Sequence, residues 1–293
     1  MKVAIFTPAG AGGARLIESF HLSNAPAPVA LAATAHDLAR AGRFPISLRV
    51  VDPGSPDSLA AAFAGCSAAI LAPAERDDAA TLPATAAAFA TAARHAHLRR
   101  IVFVSDIAAQ GPEPRGDNQG DSPPPRLAPG TRAASYAAAE SAFLSACGRH
   151  HTTACVLRAG RIYGARAEGF ARLVTELTAG ATDGDTDEAP FNGLHVDNLV
   201  AAVRAALTAR LGDQHVFPAI DTGAISMRDW RKAVAKELAR GPMVQPTETA
   251  ARQTIAGKPP TAASSEILPG YRPVVDIAQA IHRSCAWWRF VER

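Results

Sequence analysis

The sequence predicts an α/β protein built on a parallel sheet covered on both faces, and three observations predict it. Short apolar runs alternate with alanine-rich stretches of helical character through the first half of the chain. Those runs show no polar alternation, as strands buried on both faces require. A glycine-rich turn follows the first run and leads straight into a helix. With 293 residues the chain is long enough for one large domain, or a domain and a smaller lobe.

Taken in order, Val3 to Phe6 is a strand and Ala14 to Phe20 begins a helix. Val29 to Ala33 and Ile46 to Val51 are further strands, followed by a helix at Ser58 to Phe63 and a strand at Ala68 to Leu71. A helix at Pro83 to His97 leads to the apolar strand Arg100 to Ser105. Alternation of this kind points to βαβ units. The segment Gly111 to Gly130 is rich in Pro, Gly and charge, so it is a loop. Beyond it come a helix at Ala133 to Arg149, a strand at Ala154 to Arg158, and helices at Phe170 to Ala179 and Val196 to Ala209. An acidic loop, Thr182 to Glu188, separates that last pair. Ser226 opens another helix with Asp229 in its first turn, as helix polarity favours. Thr247 to Ser265 is a polar loop, and an amphipathic helix from Val275 to Val291 ends the chain.

Composition narrows the function classes. A net charge of +3 with no Lys/Arg cluster argues against a nucleic-acid partner. No segment reaches the length of a membrane span, and the opening apolar run is too short for a signal peptide. A soluble, cytoplasmic protein acting on a small molecule is expected. Cys66, Cys147, Cys155 and Cys285 lack metal-type spacing and read as buried free thiols, with no metal site.

The first turn, Thr7-Pro8-Ala9-Gly10-Ala11-Gly12-Gly13, carries the strongest chemical signal. Glycines between a strand and a helix let backbone approach a pyrophosphate, while the helix N-terminus supplies N–H donors. The bland alternative is a tight βα turn that is merely rich in small residues.

Several motifs in order resemble the extended short-chain dehydrogenases, which include the nucleotide-sugar epimerases and dehydratases. Their fingerprint Thr-Gly-x-x-Gly-x-x-Gly matches from Thr7 after a one-residue deletion, with Gly10 and Gly13 in the last two glycine places and Pro8 in the first. Asp52, in Val51 to Leu59, looks like the family's adenine-flanking Asp, and Ala72 and Pro73 lie where a strand end runs along the cofactor. Val156 to Gly164 is similar to the family's Leu-Arg-Pro-Gly-Asn-Val-Tyr-Gly, and Leu194-His195-Val196-Asp197-Asn198 to its His-Val-Asp-Asp. The resemblance implies a Rossmann-type doubly wound parallel sheet with a smaller C-terminal substrate lobe. Residues 1–160 with parts of 190–220 then form the NAD(P)-binding domain, and 161–293 mainly the substrate lobe. It also implies a homodimer through the alanine-rich helices near 83–97 and 133–149. After the second strand no acidic residue stands at the ribose-binding place; His36, Arg40 and Arg43 follow instead, which favours NADP over NAD.

The reaction centre departs from the family. Where Tyr-x-x-x-Lys is expected, the chain reads Tyr136-Ala137-Ala138-Ala139-Glu140. A carboxylate near the phenol disfavours tyrosinate and makes a poor general base near neutral pH. Aligning instead on Glu140, as the family's common Glu in that helix, moves Arg132 into the Tyr place and Tyr136 into the Lys place. The family's hydroxyl position falls on Asp106, with Ser105 one residue away. In one reading Tyr136 is an ordinary buried helix residue. In the other it faces the cofactor, with Asp106 and Glu140 in the same cleft splitting their proton affinities. Tyr163 and Arg158 are expected in the wall between the lobes, and Arg161, Arg166 and Arg172 could meet a substrate phosphate or carboxylate. The expected function is an atypical NAD(P)-dependent oxidoreductase or epimerase/dehydratase-like enzyme acting on a polar small molecule. The alternatives are a dinucleotide-binding protein without redox chemistry, or a lyase or isomerase using carboxylates.

Overall fold

The structure, a computed structural model, describes residues 2–6, 10–23, 26–74, 78–111, 127–148, 151–179, 190–221, 225–239 and 268–291. Six strands alternate with helices up to residue 159: β1 (Lys2–Phe6), β2 (Ala27–Ala32), β3 (Ser47–Val50), β4 (Ala68–Leu71), β5 (Arg100–Asp106) and β6 (Thr153–Ala159). The connecting helices are α1 (Ala11–Ser23), α2 (Pro56–Ala62), α3 (Leu82–His95) and α4 (Arg132–Cys147). Next come a small parallel pair, β7 (Arg161–Tyr163) and β8 (Gly193–His195), and the helices α5 (Glu168–Thr178) and α6 (Val196–Thr208). The strand β9 (Gln214–Ala219) and the helices α7 (Met227–Ala239) and α8 (Ile277–Val291) finish the chain.

The main sheet has seven parallel strands in the order β3-β2-β1-β4-β5-β6-β9. Strand order reverses between β1 and β4, and the crevice at their carboxyl ends is where such sheets bind ligands. The apolar runs of β1, β2, β4, β5 and β6 become strands buried on both faces as predicted, whereas β3, at the sheet edge, is mostly exposed. Val3, Ile5, Ile70, Val102 and Leu157 point to the layer of α1 and α6. Their neighbours Ala4, Phe6, Leu71, Phe103 and Val156 point to the layer of α2, α3 and α4.

Local chemistry sets the helix starts. The Ser55 side chain accepts from Ser58 N at 3.2 Å, and Pro56 fills the first helical position of α2. Thr131 caps α4 through Ala134 N, also at 3.2 Å. Three strands were not predicted. β7 and β8 have three residues each, too few to show a period. β9 carries Pro218, which is tolerated because the strand pairs only with β6, at the sheet edge. A third core, built from Tyr163, Phe170, Phe191, Trp230, Val234 and Ile281, forms the C-terminal lobe. No helix among the described residues is long and apolar enough to cross a membrane.

Of the predicted loops, residues 112–126, the acidic segment and Thr247 to Ser265 lie outside the described residues. Cys147, Cys155 and Cys285 are buried free thiols, and Cys66 is half-buried. Burial pushes the Cys155 and Cys285 thiols up to about 12.

Candidate active site at the carboxyl ends of the strands

Two cavities open at the crevice and share one wall. The first, about 520 Å³, is lined by Gly10, Ala11, Gly12 and Gly13 at the N-terminus of α1, with His36, Asp37 and Arg40 at one end. Ala72, Pro73, Val104 and Ile162 line its other end. Gly12 packs closely: a Cβ there would stand 2.8 Å from a methyl of Leu199 on α6, and that side chain would have to shift. A helix N-terminus with free N–H donors, facing a long cleft floored by small residues, fits a dinucleotide pyrophosphate. Of the predicted cofactor residues, Gly10, Gly12, Gly13, His36, Ala72 and Pro73 line this cavity. Asp52 does not: its side chain accepts from Gly54 N at 2.9 Å and shapes the turn before α2. Thr7 and Pro8 lie outside the described residues.

The second cavity, about 610 Å³, shares Pro73, Val104 and Ile162 with the first. Ser105, Asp106, Arg132 and Tyr136 line it from the sheet side. Arg161, Tyr163, Arg172, Glu176, Trp230 and Arg231 line it from the C-terminal lobe. Tyr136 is 4% exposed, its ring parallel to that of Phe103 at a centroid distance of 6.4 Å. Arg132 Nη2 donates to Tyr136 Oη at 3.0 Å, and Arg132 Nε approaches Asp106 Oδ2 at 3.3 Å. Asp106 Oδ1 accepts from Ala108 N at 2.9 Å.

One expectation is corrected. Glu140 does not share the cleft with Asp106; it is buried beneath it. Arg158 donates to it from Nη2 at 2.7 Å and from Nε at 3.1 Å, and Ser105 Oγ donates at 2.6 Å. Between them Arg158 and Ser105 give each Glu140 oxygen two contacts, and the residue is not part of the cavity lining, so its carboxylate serves the buried ion pair and not a substrate. Arg158 is thereby a partner of α4 rather than a cavity wall. Sequence reasoning missed Glu176, Trp230 and Arg231, which come from helices distant along the chain. Arg132 it had placed only as an alignment alternative, although one helical turn separates it from Tyr136.

Below the second cavity, Tyr163 Oη donates to Asp221 Oδ2 at 2.5 Å. Burial, reinforced by Asp221, raises the Tyr163 phenol well above its usual range. His195 caps α6, its Nδ1 accepting from Asp197 N at 3.2 Å. Asp197 in turn holds Arg15 of α1 at 2.8 Å and Arg283 of α8 at 3.1 Å. Burial is the main reason the His195 imidazole is pushed from 6.5 down to about 4, against the pull of Asp197. Between those values the unfolded chain takes up a proton that the folded chain refuses. The stability held this way is complete above pH 6.5 and is lost as pH falls toward 4. Asp221 opposes the trend near its lower end, because burial raises its carboxyl and so favours the protonated folded form. His195→Asn keeps a cap acceptor. It is expected to remove about 3 kcal/mol of the pH dependence, read as a flatter plot of melting temperature against pH.

Comparison with known proteins agrees with this geometry. Residues 9–144 match a family model described as NAD(P)H-binding. No curated protein matches the chain. Among solved structures, a UDP-glucose 4-epimerase of Thermus thermophilus in complex with NAD superposes with a TM-score of 0.69 at 20% identity, covering 99% of both chains. A dTDP-glucose 4,6-dehydratase of Streptomyces venezuelae with NAD gives 0.73 at 17% identity, over 99% of this chain and 97% of that one. A UDP-glucuronic acid 4-epimerase of Bacillus cereus in complex with NAD gives 0.73 at 14% identity over 100% of both. Residues 9–144 thus match an NAD(P)H-binding family model, and the whole chain has the fold of these epimerase and dehydratase structures.

Proposed function

We propose that the protein is an NAD(P)-dependent oxidoreductase or epimerase/dehydratase-like enzyme that acts on a polar, anionic small molecule, with Tyr136 as its proton-transfer group. One observation carries this reading: the glycine-lined cleft and the cavity holding Ser105, Asp106 and Tyr136 meet along Pro73, Val104 and Ile162. A nicotinamide dinucleotide bound in the first cavity would supply a hydride donor or acceptor. Gly10 to Gly13 at the start of α1 would hold its phosphates, and Ala72 and Pro73 would leave room along its length. Arg161, Arg172 and Arg231 draw an anionic substrate into the second cavity, where the guanidiniums of Arg172 and Arg231 flank Glu176 at 3.0 and 3.7 Å.

The far end of the first cavity supports NADP(H). Arg40 lines it, and Arg15, Arg43 and Arg166 lie within electrostatic reach of one another around Glu18. Burial and then Arg43 and Arg40 lower the Arg166 guanidinium, an arrangement that an added phosphate would relieve. Titration of the purified chain, followed by reduced-nicotinamide fluorescence, tests both levels. NADPH is expected to bind about tenfold more tightly than NADH, with the preference lost in Arg40→Ala. A chain that binds neither sinks the proposal. Binding that never leads to reduction of any carbonyl or oxidation of any hydroxyl substrate leaves only a dinucleotide-binding protein.

A further inference from the structure

We propose that Arg132 is a positioning residue that sustains negative charge on Tyr136 Oη, so that this phenol can accept and return a proton at the wall of the second cavity. The inference rests on the role given to Tyr136 above. Its basis is the contact itself. Residues 132 and 136 stand one turn apart on α4, and Arg132 Nη2 lies 3.0 Å from Tyr136 Oη. The guanidinium carbon is 4.9 Å from the centroid of the phenol ring.

A guanidinium carries donors and no acceptor, so it can only donate to the phenol oxygen and cannot take its proton. A cationic donor bonds more strongly to a phenolate than to a phenol and therefore favours the ionised form. Asp106 fixes the guanidinium from the other side through Nε at 3.3 Å and is itself held by Ala108 N. The carboxylate one turn further on, Glu140, is matched by Arg158 at 2.7 Å, so its charge is compensated away from the phenol. In the forward step the O–H bond of a bound hydroxyl breaks and its electron pair stays on that oxygen. The proton forms the O–H bond of Tyr136, and the reverse step returns it.

The chain has three tyrosines, which makes the test direct. Burial raises both Tyr163 and Tyr271, while Tyr136 carries a guanidinium on its oxygen, so the first tyrosinate absorbance on alkaline titration is expected to come from Tyr136. That onset is expected to vanish in Tyr136→Phe, to stay nearly in place in Arg132→Lys, and to move up by about one pH unit or more in Arg132→Gln. Asp106→Asn, which keeps the cap on Ala108, is expected to move the onset down. An unmoved onset in Arg132→Gln, or an early transition that persists in Tyr136→Phe, overturns the proposal. If Arg132→Gln does not fold, an unmoved onset in Asp106→Asn does the same. NADPH fluorescence in each variant keeps the two readings apart, since cofactor binding can survive while the tyrosinate result fails, and the reverse.

Discussion

Replacing Glu140 by alanine is expected to cost about 4 kcal/mol, a fall of roughly 10 °C in melting temperature. Glu140 is 5% exposed and joins three elements: its own α4, Arg158 on β6 and Ser105 on β5. Removing the carboxylate leaves the Arg158 guanidinium with three donor contacts broken and most of its surface still out of water. An uncompensated buried charge costs more than the pair contributed, which is why loss of one partner is severe. The double replacement Glu140→Ala with Arg158→Met is therefore expected to recover part of the loss, and a double-mutant cycle of thermal melts measures it. Glu140→Gln keeps the shape and the contacts to one of the two oxygens, so its cost is smaller than that of alanine although the Arg158 charge loses its counter-ion. Were Glu140 a proton-transfer group instead, Glu140→Gln would melt like the native chain and lose turnover. That outcome would return the carboxylate to the chemistry.

The same residue shows why the fold was more legible than the site. Strands buried on both faces announce themselves in apolar runs such as Ile101-Val102-Phe103-Val104, and the glycine turn is contained within a few residues. Both are local patterns: the runs became strands where predicted, and Gly10 to Gly13 stand at the start of α1. Glu140 was read against Tyr136 because four residues separate them on a helix. Its actual partner stands eighteen residues along, on another strand. Charge pairing across elements leaves no periodic trace. The second cavity was hidden in the same way, since Glu176, Trp230 and Arg231 join Tyr136 in its lining only through the packing of α5 against α7 and β7. Arg132 is the instructive exception. Helical spacing alone puts it on the face of Tyr136, so the cation of the pair could have been found one turn before the phenol rather than one turn after.

Asn198→Ala is expected to be nearly as damaging as loss of Glu140, about 3–4 kcal/mol, and to act on the other half of the molecule. Asn198 is fully buried on α6 and uses its whole amide. Nδ2 donates to Asp221 Oδ1 at 2.7 Å and to the Val275 carbonyl at 2.9 Å, while Oδ1 accepts from Val274 N at 2.8 Å and Val275 N at 3.1 Å. Truncation strands two backbone N–H groups and takes a donor from a carboxylate that burial already disfavours as an ion. The segment leading into α8 is what these bonds hold, and α8 packs in the core that includes Tyr163 and Trp230 of the second cavity. Hydrogen exchange over 274–291 is therefore expected to quicken in Asn198→Ala while NADPH binding at the glycine turn survives. Asn198→Asp sharpens the point. It sets a second carboxylate beside Asp221 and turns an accepting oxygen pair toward an acceptor, so its penalty should be largest at neutral pH and shrink on acidification as one of the two takes a proton. A melting temperature of Asn198→Ala within a degree or two of native would mean that the lobe is held by its aromatic core alone, and that the amide only fills space.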